Sequence, residues 1–202
     1  MSEKAPNQSP LIALEGTHGP DLAAATESLL RKLADHKKAC GTSRWDASNT
    51  FFEMRFAKSS VPPASARMLI LLYASDLVFR LRWEIEPALK EGKLVVAAPY
   101  VDTAVALGLA VGLPKRWLAD LFSFAPKPEA AFRIEEKKKN WHKKCKPGDG
   151  FVEFCCSVLA NSHPYPDPAD IRARALDCLD ALAEKKGCSE LKKKAVAAIC
   201  EK

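Results

Sequence analysis

The sequence predicts an α/β fold, a mostly parallel sheet flanked by helices, and three observations predict it. Short apolar runs at Leu11–Leu14, Lys93–Ala98 and Ala130–Ile134 have the length and bounding turns of buried strands. Between them lie segments whose apolar residues recur three and four apart, the period of a helix packed on one side. Strand and helix also alternate along the chain, which is how a parallel sheet with crossover helices is built.

Taken in order, Leu11–Leu14 runs into Glu15-Gly16, a strand entering a tight turn, where Gly16 and Gly19 are expected to supply positive φ. Asp21 opens a helical pattern with Leu22, Ala25, Leu29, Leu30 and Leu33 on one face, ending in the basic cluster His36–Lys38. Residues 40–64 are broken by Gly41, Ser43, Asn49, Ser59, Ser60, Pro62 and Pro63, and they yield only a strand near Cys40–Trp45. A long helix follows from Ala64 to about Lys90. Its middle, from Met68 through Leu77, Phe79, Leu81 and Trp83, is apolar almost all round, so burial on more than one side is expected, in the core or against a second subunit. Gly92 ends it. After the strand Lys93–Ala98, Asp102 is placed to cap a further helix. Pro114 opens another, carrying Trp117, Leu118, Leu121 and Phe122. Beyond Ala130–Ile134 come a basic stretch, an apolar run at Phe151–Leu159 of undecided type, and a helix from Asp170 to Lys186. No internal repeat is visible.

Charge narrows the function classes. The chain has 202 residues and a formal charge of +6, but residues 133–146 carry +5 and residues 185–202 carry +4, leaving the rest at −3. A mildly acidic body with two basic patches makes a nucleic-acid partner unexpected. No run reaches the 18 or more apolar residues of a membrane span, so no membrane partner is expected either. The polar start MSEKAPNQSP has no apolar core of a secretory signal. Seven cysteines, an odd number without a CxxC pair, read as reduced thiols in a cytoplasmic protein. His142, Cys145, Cys155 and Cys156 match no common zinc spacing, so no metal is expected.

The turn after the first strand reads Glu15-Gly-Thr-His-Gly-Pro-Asp-Leu-Ala-Ala24. In α/β sheets this turn is the usual phosphate site. The segment resembles the phosphate loop of thymidylate kinases, EGxDGxGK followed by Ser or Thr. Further segments keep the family order. Leu71-Leu-Tyr-Ala-Ser-Asp76 is similar to LLFAADR, and Glu86-Pro-Ala-Leu-Lys-Glu-Gly-Lys-Leu-Val-Val96 to the helix end and strand before DRY. Tyr100-Val-Asp-Thr103 is similar to YVDSS, and Phe124-Ala-Pro-Lys-Pro-Glu129 to FAPxxPD, with Ile134-Glu135 at the final LD. The resemblance covers roughly residues 11–135. It implies a P-loop nucleoside-monophosphate-kinase fold, organised as a polar leader 1–10 and a single domain 11–202 with a basic lid-like segment 136–147. It also implies a homodimer through apolar helices.

The resemblance also exposes what is missing. The implied nucleotide loop is Gly16, Thr17, His18, Gly19, Asp21 and Leu22, yet a working loop aims backbone N–H groups and one Lys at the phosphates, with a hydroxyl on magnesium. Leu22 stands at the Lys position, Ala23 and Ala24 at the hydroxyl positions, Asp21 at a glycine and His18 at a carboxylate. Pro20 removes one N–H, and Asp21 is expected to cap its own helix where a phosphate would bind. Ala98 and Pro99 replace the DRY Asp and Arg, and Leu77 replaces the Arg of AADR. The implied monophosphate pocket is Arg44, Tyr73, Tyr100 and Asp102: Tyr73 stands where the family stacks an aromatic on thymine, and Arg44 replaces a phosphate-gripping Arg. A buried Tyr73 that only packs is the simpler reading. The sequence therefore points to a catalytically inactive, thymidylate kinase-like pseudoenzyme with a scaffold, regulatory or nucleotide-binding role, partnered by itself and by a nucleotide or an unidentified protein. No cofactor is expected on that reading. The alternative is an active kinase moving the ATP γ-phosphate to thymidine monophosphate with magnesium, its cations drawn from residues 137–146 or a partner.

Overall fold

A computed structural model describes residues 10–56, 64–135, 150–160, 167–187 and 189–190. Five parallel strands, β1 (Leu11–Glu15), β2 (Cys40–Arg44), β3 (Leu94–Ala98), β4 (Ala130–Arg133) and the two-residue β5 (Ser189–Glu190), form one sheet in the order β2-β3-β1-β4-β5. β1 sits at its centre, with Ile12 opposite both Val96 and Ala130.

Strand side chains alternate between faces, and the core divides accordingly. Leu11, Ala13, Val95 and Ala97 pack on one face, against α3 (Ala66–Arg80), α5 (Val101–Ala110), α7 (Phe151–Leu159) and α8 (Pro168–Lys186). Ile12, Leu14, Leu94, Val96, Ala98 and Phe132 point to the other, where α1 (Gly19–Asp35) buries Leu22, Leu29 and Leu33. Both faces of β1 and β3 are thus covered, which is why their sequences read as continuous apolar runs.

The helix expected over 64–90 is present with an interruption. Ser65 caps α3, its Oγ accepting from Met68 N–H at 3.2 Å. A widened π-helical turn at Leu81–Ile85 leads into α4 (Glu86–Lys90). Pro87 has no N–H to return to the preceding turn, so the register changes where a regular bond is unavailable. One side of α3 is buried through Leu69, Ile70, Tyr73 and Leu77, while Met68, Leu71, Val78, Phe79 and Trp83 are exposed. The expectation of burial on several sides is therefore not met within one chain.

Two elements were not expected: α2 (Thr50–Phe56) and β5. Asp46 starts α2, its carboxylate accepting from Phe51 N–H at 2.7 Å and Phe52 N–H at 2.8 Å. The apolar run at 151–159 is a helix, and α6 (Lys115–Leu121) follows Pro114 as predicted. The lid-like segment 136–147, all but Pro10 of the leader, and the basic residues 191–202 lie outside the described residues.

Candidate functional site: the turn between β1 and α1

Parallel strands all present their carboxyl ends to one edge, so the site expected there is built from the turns after β1, β2 and β3. Glu15, the last residue of β1, is buried. Its carboxylate accepts from Tyr100 N–H (3.2 Å), Asp102 N–H (3.0 Å), Thr103 N–H (2.9 Å) and the Thr103 hydroxyl (2.6 Å). Burial, reinforced by the nearby Asp102 charge, pushes Glu15 up to about 7 despite the Thr103 bonds. Glu15 is thus the cap of α5. Asp102, expected to be that cap, instead sits inside the first turn and pairs with Lys186 Nζ of α8 at 2.6 Å. A side chain from β1 already satisfies the amides that an Asp102 cap would use.

The loop itself departs from expectation in two ways. The positive-φ glycines among the described residues are Gly92, Gly112 and Gly187, so neither Gly16 nor Gly19 is in the left-handed region. The close contact at Gly19 instead requires a glycine at position 150: a Cβ on Gly150 would lie 2.7 Å from Gly19 Cα and 2.8 Å from its nitrogen, so two backbones meet there. Asp21 is not the N-cap. The helix begins at Gly19, with His18 at the cap position and Pro20 tolerated in the first turn, and Asp21 Oδ2 lies 2.9 Å from His18 Nδ1.

The loop amides are engaged from inside the molecule. Gly16 N–H donates to Thr103 Oγ1 at 3.1 Å and Gly19 N–H to Glu153 Oε1 of α7 at 2.8 Å. Thr17 and His18 are buried. Leu22, at the position of the expected lysine, is buried with Ile12, Leu14 and Leu29.

Beside the loop is a cleft of about 190 Å³ lined by Gly19, Leu22, Ala23, Thr26, Arg44, Trp45, Ala98, Pro99 and Gly150. It is smaller than the ~300 Å³ lower bound usual for ligand pockets. Arg44, at the end of β2, is exposed and brings the cleft its cationic side chain. The loop and Arg44 are therefore brought together. Tyr73, Tyr100 and Asp102 are not among the lining residues. Tyr73 is fully buried, its hydroxyl donating to the Tyr100 carbonyl at 2.5 Å and its ring 4.2 Å from that of Phe151. Burial pushes both tyrosine hydroxyls well up, so they stay neutral. The Tyr100 hydroxyl bonds to the Pro126 carbonyl at 2.9 Å.

Three features were missed in the sequence. Arg80 is fully buried, its Nε bonded to Ser43 Oγ (2.9 Å) and its Nη2 to the carbonyls of Ser43 (3.2 Å) and Pro99 (2.8 Å), tying the ends of β2 and β3 to α3. An Arg among apolar neighbours, Phe79 and Leu81, was the available signal. Asp76 is buried and holds the turn after β2, accepting from Asp46 N–H, Ser48 N–H and Ser48 Oγ. Glu153, one acid inside an apolar run, is the third. Among the described residues no three metal-ligating side chains cluster, and the Cys155 and Cys156 thiols are buried.

No family model matches the chain. Among curated sequences, it is 33% identical over 84 residues to a "Probable thymidylate kinase" of Pyrococcus abyssi, covering 42% of this chain and 41% of that relative. A "Probable thymidylate kinase" of Sulfurisphaera tokodaii is 27% identical over 135 residues, 66% of this chain and 67% of the relative. The "Probable thymidylate kinase 2" of Saccharolobus solfataricus is 25% identical over 151 residues, 71% and 70%. The chain is thus similar in sequence to thymidylate kinases over part of its length. The match to the Pyrococcus abyssi relative spans about two fifths of that protein's length. The parallel sheet with flanking helices agrees with a thymidylate kinase-like P-loop fold. No described helix is long and apolar enough to cross a membrane.

Proposed function

We propose that this thymidylate kinase-like chain has lost phosphoryl transfer and keeps the fold for a scaffold or regulatory role. The observation that carries the reading is Leu22, a core leucine where the relatives' chemistry requires a lysine on the phosphates. Supporting it, Ala98 and Pro99 bring no charge to the cleft, Leu77 is buried in the core, and the amides of Gly16 and Gly19 are bonded within the chain. Losing one preorganised electrostatic donor costs about 10²–10³ in rate, and here several are absent together. On this reading ATP and magnesium are not required cofactors, residues 11–202 act as one domain, and the buried Cys155 and Cys156 thiols suit a cytoplasmic setting. Residues Met68, Leu71 and Phe79 of α3 and Trp83 of the π-helical turn after it form an exposed apolar stripe, and we assign it to a homodimer contact.

A second reading, a binding module for a small anion, is favoured by Arg44 beside the cleft. A coupled assay with ATP–magnesium and thymidine monophosphate, run beside calorimetry of each, separates the cases. The expected result is no turnover. Turnover of about 1–100 s⁻¹, ordinary for kinases, sinks the proposal, and tight binding without turnover moves the assignment to the binding module.

A further inference from the structure

The run Phe151–Leu159 contains one charged residue, Glu153, in the first turn of α7. An acid there would ordinarily face water beside its own helix amides. Glu153 is instead 7% exposed and reaches across to Gly19 N–H at 2.8 Å. Gly19 is the first residue of the 17-residue α1, where unpaired amides and aligned peptide dipoles attract an anion. Backbone packing fixes the arrangement independently, because Gly150 lies so close to Gly19 that no side chain fits between them.

We propose that Glu153 is an internal stopper of the phosphate loop, a carboxylate supplied by α7 that fills the anion seat at the start of α1. The proposal rests on reading residues 15–24 as a phosphate loop. The seat is closed to external phosphate while α7 is docked, and it opens when Glu153 is neutralised or removed. Burial pushes the Glu153 carboxyl up, opposed by the Gly19 bond and by Arg172 of α8 and His18 of the loop. Oε2 has no hydrogen-bond partner. A buried carboxylate oxygen left without a donor is destabilising. The docking of α7 therefore draws on its apolar contacts, including Phe151 on Tyr73, and Glu153 occupies the seat at a cost to stability.

The test uses the full chain as wild type, Glu153→Gln and Glu153→Ala, titrated with inorganic pyrophosphate. Binding is read by calorimetry and by the Gly19 amide resonance. Wild type is expected to show no saturable shift at Gly19, and both variants at least a tenfold gain in pyrophosphate affinity with a shift at that amide. A purely structural cap gives lower stability and no gain, which overturns the proposal, as does equal binding by wild type. Should Glu153→Ala not fold, the near-isosteric Glu153→Gln decides alone. A kinase assay on the same samples keeps the two proposals apart. No turnover with no gain in binding removes the stopper only, whereas wild-type turnover with a gain in Glu153→Gln removes the inactivity only.

Discussion

Glu15 shows how one side chain at the end of a strand organises the surrounding turns. Its carboxylate gathers three backbone amides and one hydroxyl at the start of α5, doing the capping that a residue inside that turn would otherwise do. Four donors favour the charge, burial and Asp102 oppose it, and the balance leaves Glu15 at about 7, up from 4.5. An acid protonated to higher pH in the fold than in the unfolded chain takes up a proton on folding. Its contribution to stability is therefore greatest below about 4.5 and declines as pH rises through about 7. Comparing denaturant midpoints at pH 5 and pH 8 should show wild type losing more stability over that interval than Glu15→Gln, which has no proton to exchange. An equal loss in both would place the titration elsewhere.

Among the elements, the turn from β2 to α2 depends on two aspartates acting in series. Asp76 of α3 holds Asp46 N–H and Ser48 N–H, and Asp46 in turn caps α2 through Phe51 and Phe52. Asp46 and Asn49 have φ of 60° and 58°, conformations that aspartate and asparagine tolerate better than most residues. Asp76→Ala removes three bonds to one carboxylate and should cost about 2–4 kcal/mol in urea unfolding. A loss under 0.5 kcal/mol would mean water replaces them, as it does at exposed turns. The residues 46–50 were hard to read in sequence because neither aspartate forms a local periodic signal: Asp76 lies 30 residues from the amide it holds. The strands were legible for the opposite reason. Runs such as Leu94–Ala98 are apolar throughout because both faces of a central parallel strand are covered.

At the scale of the molecule, the stripe on α3 and the turn after it exposes several large apolar side chains to solvent. Trp83 is 64% exposed, with the Phe79 ring 6.4 Å away and the Arg82 guanidinium 5.8 Å from its own ring. If the stripe meets a second copy, Phe79→Asp with Trp83→Asp should convert a dimer to a monomer in sedimentation velocity while far-ultraviolet dichroism stays unchanged. A wild-type monomer at micromolar concentration would refute the dimer. The basic excess of the sequence has a bearing here too. Arg44 lines the cleft, but the two concentrated basic stretches, 133–146 and 185–202, are remote from residues 15–24 in sequence, and no lysine or arginine occupies that turn.

By itself the sequence determined the parallel α/β architecture, the turn after the first strand and the leucine at position 22. Those features are encoded in local runs, short spacings and single residue identities. Tertiary structure alone decided what fills the loop. Glu153 meets Gly19 across 134 positions, Glu15 meets Thr103 across 88 and Arg80 meets Ser43 across 37. A buried polar group is paired by whichever donor or acceptor folding brings near it, and no periodicity along the chain records that choice.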